Sequence, residues 1–385
     1  MKHVRMALMS AALLVVSALP ASAQWQYTEE SPPAIEVVFC IDTTGSMGGL
    51  IQAAKEKTWA IANMLATSTP TPDIRIGLVA FRDRGDVYIT RVTDLSDDLD
   101  AVYQELMSFR AEGGGDMPES VNQALHEAVT KINWSTDAWT YRVIFLIGDA
   151  PPHMNYPDDV KYPETCKLAV EKGIIINTIQ CGNIAQTTPY WKDIARLAEG
   201  QYFRVEQAGS AILESTPFDL RLAELGAQLD GTRIYYGNAE QRADGDGRIA
   251  RSGELYEATT PSSQAQRAAF NASAGGRLNF RGHNELVHAV VNGTVELDEL
   301  KDEELPDALR EMTPDERRAH VENAAKTRAD IQAQIRELSA QRNQYIRERI
   351  DEKKIDVERS FEHQVNAVLD RQAATKNITI GEVTY

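Results

Sequence analysis

The chain has 385 residues, enough for two domains and few more, and its 43% hydrophobic and 25% charged residues are ordinary for a soluble globular protein. A formal net charge of −17 argues against nucleic acid, whose phosphates are held through Lys and Arg, and against docking on anionic lipid. Acidity of this kind reads first as solubility, and then as a supply of cation ligands or a face for a basic partner.

Lys2 and Arg5 precede an apolar run over residues 7–19, and Ala21-Ser22-Ala23 is a small-residue cleavage site. The run's 13 residues fall short of the ~20 that span a bilayer, so the segment reads as a signal peptide removed after Ala23. The mature chain then starts at Gln24 and is expected in the periplasm or outside the cell. No later stretch approaches a spanning length. Residues 24–33 read as a linker.

Residues 34–208 alternate strand and helix signals. Residues 35–41 form a buried-strand run, followed by a helix with Leu50, Ala54, Ile61 and Leu65 at helical spacing. Residues 74–81 are the second expected strand and residues 87–92 a short third. Leu99, Val102 and Leu106 mark the next helix, and another starts at Pro118 with Val121, Leu125, Ala128 and Ile132 on one face. Residues 141–147 are apolar but for Arg142, as suits a strand covered on both faces. A helix over residues 164–172 stops at Gly173, and a fifth strand covers residues 174–180. Thr188-Pro189 starts one more helix, which ends at Gly200 before a sixth strand over residues 201–205. The alternation predicts an α/β fold, a doubly wound and mostly parallel six-stranded sheet with helices on both faces.

Residues 209–306 read as mainly helical, with a candidate strand over residues 232–236 and a Gly-rich turn at Asp244-Gly245-Asp246-Gly247. Thr313-Pro314-Asp315-Glu316 combines a capping hydroxyl, a first-turn proline and a capping-box glutamate. From there to about residue 373 no Gly or Pro interrupts, so residues 307–372 read as long helices and residues 373–385 as a tail. Their narrow stripes (Val321, Ala324, Ile331, Ile335 and Leu338; Phe361, Val365 and Val368) suit helix pairing of the coiled-coil kind, within the chain or between chains.

Export is compatible with disulfides, and an odd count of three cysteines leaves at least one thiol unpaired within the chain. Cys166, early in the helix after the fourth strand, and Cys181, at the end of the next strand, are the expected pair. Cys40, inside an apolar strand, is the expected buried thiol.

The chemistry concentrates in Asp42-Thr43-Thr44-Gly45-Ser46, directly after the first strand. Ligands of open α/β sheets collect beyond the carboxyl ends of strands. Asp42, Thr44 and Ser46 put one carboxylate and two hydroxyls on a single loop. Asp149 follows the fourth strand, and Asp116 lies in Gly113-Gly114-Gly115-Asp116-Met117-Pro118-Glu119 before a helix. If strands one and four are neighbours, all three loops meet at one edge. A site of oxygen donors suits Mg²⁺ best, with Mn²⁺ or Ca²⁺ as alternatives, rather than zinc or copper. The same Asp, Thr and Ser would serve a plain capping turn, and it is the three loops in order that favour metal. Arg84-Gly85-Asp86 reads as a plain turn. His153, four residues beyond Asp149, is a candidate base near the metal, without an accompanying nucleophile motif.

These motifs closely resemble the von Willebrand factor A family. Asp42-Thr43-Thr44-Gly45-Ser46 matches its DxSxS metal-ion-dependent adhesion motif, with Thr in the first hydroxyl place, and Asp149 matches its acid after the fourth strand. Most members carry a Thr on the middle loop. This chain carries Gly-Gly-Gly-Asp-x-Pro-Glu there, a variant similar to the A domains of hemicentin-like proteins. The resemblance therefore implies that Asp116 replaces the Thr, with Glu119 as the competing candidate. It covers residues 34–208, about half of the chain, and implies a non-enzymatic module that captures a carboxylate of a protein partner through a divalent cation. The remaining half faintly resembles the C-terminal part of bacterial exported A-domain proteins. Two other readings are a metal-assisted hydrolase using Asp149 and His153, and a structural envelope protein whose metal only braces the fold.

Overall fold

The computed structural model describes residues 32–207 and 215–383. The expected signal peptide, its cleavage site and most of the following linker lie outside them. β1 (Ala34–Asp42) leads through a 3₁₀ turn into α1 (Gly48–Ala66). Then come β2 (Asp73–Phe81), β3 (Thr90–Ser96), α2 (Leu99–Ser108), α3 (Val121–Thr130), β4 (Tyr141–Gly148), α4 (Tyr162–Glu171), β5 (Ile174–Cys181), α5 (Thr187–Leu197) and β6 (Tyr202–Val205).

These strands form one six-stranded sheet in the order β3-β2-β1-β4-β5-β6, parallel except for β3. The two-residue period of β1 explains its central place. Ile35, Val37, Phe39 and Ile41 face a core shared with α1 and α2, while Val38 and Cys40 face a second core shared with α3, α4 and α5. On α3, Val121, Ala124, Leu125, Ala128 and Val129 fall on one helical face and are fully buried. Register sets the functional edge, because Asp42 pairs with Phe81 and Ile41 with Ile147. The loops after β1, β2 and β4 therefore open side by side.

Sequence and structure differ at several elements. The third strand lies at Thr90–Ser96 rather than residues 87–92 and runs antiparallel to β2. It is a half-exposed edge strand, so it has no apolar run to mark it. The Cys166–Cys181 disulfide does not form, and all three thiols are free and buried. Cys166 sits in the core on one face of the sheet and Cys181 in the core on the other, so the sheet separates them. Residues 232–236 form no strand, only an isolated bridge between Tyr235 and Glu285.

The second half comprises α6 (Asp219–Asp230), α7 (Ala239–Ala258), α8 (Pro261–Asn271), α9 (Arg277–Arg281), α10 (Leu286–Val291), α11 (Asp307–Arg310), α12 (Pro314–Lys353) and α13 (Phe361–Ala373). Asp244-Gly245-Asp246-Gly247 is not a turn but part of α7. The glycine at 245 has a packing reason, since a Cβ there would meet the buried Tyr235 ring at 2.1 Å. Gly245→Ala is expected to cost about 1–3 kcal/mol through overpacking, and an unchanged urea-unfolding midpoint would show that α7 shifts freely.

The 40-residue α12 starts at the expected capping box, where Thr313 and Glu316 satisfy each other's backbone N–H. It ends at Lys354, in left-handed conformation, and the second apolar stripe falls on a separate helix, α13. Its partners are α6, α8 and α10, so its apolar stripe is buried within the same chain. α13 packs on α1 instead, through Phe361, Val365 and Leu369 and a buried Lys57–Glu362 ion pair of 2.7 Å. The helical half is thereby built into the sheet's own core. Buried Arg267 on α8 joins Asp100 on α2 to Asp230 on α6. Burial by itself would raise the Asp100 carboxyl, but Arg267 outweighs it and holds that carboxyl below its ordinary value.

Candidate metal centre

The site begins where β1 runs out. Thr43 fastens the loop to β2, its N–H and hydroxyl donating to Phe81 O at 2.8 and 2.9 Å. The next residue folds back on Asp42, whose Oδ1 accepts from the Thr44 N–H at 2.9 Å and the Thr44 hydroxyl at 2.6 Å. Thr44 Oγ1 lies 3.4 Å from Ser46 Oγ, so both hydroxyls face one point. Asp42 Oδ2 is buried and makes no hydrogen bond. Burial pushes this carboxyl up to about 7, against the two Thr44 bonds and with the charge of Asp149 adding to the rise.

The loop after β4 supplies Asp149. Its Oδ2 accepts from Gln207 Nε2 at 2.7 Å, and the same amide donates to Ser46 O at 3.1 Å. α5 anchors this loop from behind, through Thr187 Oγ1 to Asp149 O at 2.7 Å and Trp191 Nε1 to Ala150 O at 3.1 Å.

The glycine-rich loop is stitched to both neighbours. Gly45 N donates to Gly113 O and Glu112 N to Thr43 O, while Glu119 N donates to Pro151 O and His153 N to Glu119 O. Gly113 and Gly114 both have φ of +80°, which side chains rarely adopt. The Arg84-Gly85-Asp86 turn buttresses them, because Asp86 Oδ2 accepts from Gly114 N at 3.1 Å. Glu119 is 3% exposed and its Oε2 has no hydrogen-bond partner. Burial first, then the charges of Asp42, Asp83, Asp86 and Asp116, push its carboxyl up to about 9.

Asp42, Thr44, Ser46, Asp116, Glu119 and Asp149 thus come to one edge, and all but the buried Asp42 line a cavity of about 200 Å³. They are not equivalent. Glu119 points an unsatisfied oxygen into the interior beside Asp42. The Asp116 side chain is 63% exposed and lies 3.7 Å from His153 Nε2. His153 is turned from the cavity, with its Nε2 3.2 Å from Asp83 Oδ2. Two orphaned buried oxygens, two hydroxyls and Asp149 are a donor set that fits a hard divalent cation.

Sequence reading passed over Asp83 and Gln207. Asp83 was findable, since it follows β2 as Asp42 and Asp149 follow β1 and β4. Gln207 carries no local signal and reaches the site only because β6 is adjacent to β5.

A family model described as von Willebrand factor A domain matches residues 36–210. The von Willebrand factor A domain-containing protein 7 of Mus musculus is 37% identical over 122 residues, covering 31% of this chain and 12% of that protein. A putative ariadne-like RING finger protein of Acanthamoeba polyphaga mimivirus is 21% identical over 213 residues, 51% of this chain and 21% of its own. The chain therefore spans from about an eighth to a fifth of the length of these relatives. Among solved structures, the VWA domain of SpRpn10 aligns with a TM-score of 0.35 at 13% identity, over 46% of this chain and 89% of that one. Proximal thread matrix protein 1 from the mussel byssus, with a zinc-occupied MIDAS motif, aligns at 0.36 and 16% identity, over 45% and 42%.

Proposed function

The chain carries a von Willebrand factor A domain over residues 36–210, and from that premise we propose that it is a metal-dependent binding protein that captures a carboxylate of a protein partner. The observation that carries this reading is the pair of orphaned buried oxygens, Asp42 Oδ2 and Glu119 Oε2, beside the hydroxyls of Thr44 and Ser46. Three carboxyl groups around one cavity repel each other, and a divalent cation, with Mg²⁺ the best match to oxygen donors, relieves that repulsion and supplies an electrophilic centre for an incoming Asp or Glu. Thr44 and Ser46 hold the ion through neutral oxygens. Asp42 fixes the Thr44 hydroxyl, and Gln207 orients Asp149. Glu119 takes the middle-loop place in preference to Asp116, because it is the acid buried beside Asp42. The cavity of about 200 Å³ has room for a partner's carboxylate group.

Pull-down from envelope extract with immobilised full-length chain tests this. Partner capture is expected in Mg²⁺, lost in chelator, and lost in Asp42→Asn. Capture that persists in all three conditions would rule the mechanism out.

We also infer that the chain is exported, from Lys2, Arg5, the apolar residues 7–19 and Ala21-Ser22-Ala23. Intact-mass measurement on periplasmic or secreted protein should give a chain starting at Gln24, and a cytosolic chain that keeps Met1 would refute export.

A further inference from the structure

We propose that Asp83, Asp116 and His153 form a second cation site, beside the Asp42–Thr44–Ser46 cavity and sharing its Asp116 wall, suited to a transition-metal ion of the zinc class. One ligand atom from each of the three lies within 4.8 Å of the others. The side chains of His153 and Asp83 are 5% and 6% exposed, and Asp116 closes the group from the solvent side.

The decisive atom is His153 Nε2. It is buried, 3.2 Å from Asp83 Oδ2 and 3.7 Å from Asp116 Oδ2, and makes no hydrogen bond. The other ring nitrogen, Nδ1, lies 2.8 Å from Asn155 Oδ1, which holds the ring in place. Nε2 thus faces two carboxylates. Asp83 needs no proton from the ring, because its oxygens already accept from the Ser120 and Tyr156 hydroxyls, both at 2.8 Å. A buried ring nitrogen and two carboxylates converging on one point is an arrangement that a cation satisfies.

Spacing and chemistry select the ion. Zinc bonds of about 2.0–2.2 Å to nitrogen and oxygen place neighbouring tetrahedral ligands roughly 3.3–3.5 Å apart. The two separations from His153, 3.2 and 3.7 Å, lie close to that spacing, and the third is within 4.8 Å. An imidazole nitrogen with two carboxylates favours zinc-class ions over Mg²⁺, in contrast to the oxygen-only cavity nearby. The supports of such a site are also present: Asn155 holds the ring in place, Ser120 and Tyr156 fix Asp83, and the Tyr156 ring stacks on His153 at 4.0 Å. Asp116 follows Gly113–Gly115 directly, so an ion on it pins the glycine-rich loop that lines the first cavity. The second site would thereby set how open the first one is.

Titration of chelator-stripped full-length chain with Co²⁺ tests the assignment, since four-coordinate Co²⁺ absorbs in the visible and Zn²⁺ displaces it. The wild type and Asp42→Asn should both show the band. His153→Gln should lose it. Asp116→Asn, at an exposed position that leaves the fold intact, should weaken Co²⁺ affinity at least about tenfold. Retained Mg²⁺-dependent melting in His153→Gln would show that the first site survives. A wild type without the band would mean that His153 is simply an imidazolium paired with Asp83, and the proposal would fall. It would equally fall if the band survived both His153→Gln and Asp116→Asn, or vanished only in Asp42→Asn. A chain that ignores Mg²⁺ but keeps a His153-dependent Co²⁺ band would sink the carboxylate-capture reading alone.

Discussion

Mg²⁺ or Mn²⁺ is expected to raise the melting temperature of the full-length chain, and a chelator to lower it. A ligand that binds only the native state stabilises it by mass action, by about 2.7 kcal/mol at a hundredfold excess over its Kd. The ligand set here has more to gain than most. Asp42 and Glu119 are buried with unsatisfied oxygens, and burial pushes their carboxyl groups up to about 7 and about 9. Asp42→Asn keeps an oxygen to accept from Thr44 while removing the charge, so loss of the Mg²⁺ response in it reports on the ion rather than on the loop. Glu119→Gln should weaken the response more than Asp116→Asn does. The opposite order would return the middle-loop place to Asp116. A wild-type chain whose melting and calorimetry are indifferent to every divalent cation would remove the basis of the functional reading, while leaving the fold as described.

Arg267→Ala is expected to be among the most damaging single substitutions, at about 3–5 kcal/mol. Arg267 donates to Asp100 at 2.7 Å through Nε and to Asp230 at 2.6 Å through Nη1, and all three side chains are buried. Removing the guanidinium leaves two buried carboxylates with Arg233, 3.3 Å from Asp230, as their remaining counter-charge. The loss comes from those stranded charges more than from the pair's own attraction, since taking ions out of water offsets much of what pairing gains. Arg267→Met combined with Asp100→Asn and Asp230→Asn should therefore recover a good part of the stability. Urea unfolding of the single and triple variants measures this. A single variant within 1 kcal/mol of wild type, on the scale of an exposed ion pair, would show that water reaches the cluster. Since α2 belongs to the sheet domain and α6 and α8 to the helical half, the same substitution should loosen the two halves together.

How much was legible in the sequence varied with the kind of signal. Strands β1, β2, β4 and β5 announced themselves because both faces are covered, so their residues are mostly apolar on both faces. Strand β3 did not, since an edge strand half in water has no such constraint. The start of α12 was readable from Thr313 and Glu316, a local capping arrangement, but its end at Lys354 depends on a backbone conformation that nothing in Lys353-Lys354 announces. The DxTxS loop and Asp149 were found because residue type and position after a strand were enough. Asp244-Gly245-Asp246-Gly247 misled, because a glycine demanded by the Tyr235 ring looks the same in sequence as a glycine demanded by a turn.

The sequence by itself determined which acids and hydroxyls stand at the carboxyl ends of the strands, since those are local facts of order and spacing. Only the tertiary structure decided which of them share a face and a depth. It buried Glu119 and exposed Asp116, three residues apart on one loop, because the Glu119 backbone is tied to Pro151 and His153 while Asp116 sits at the open end of the glycine run. It turned His153 toward Asp83 through a ring bond to Asn155 and stacking on Tyr156. It separated Cys166 from Cys181 by the thickness of a sheet. Burial, partner and direction are properties of contacts between distant segments, and such contacts exist only once the chain has packed.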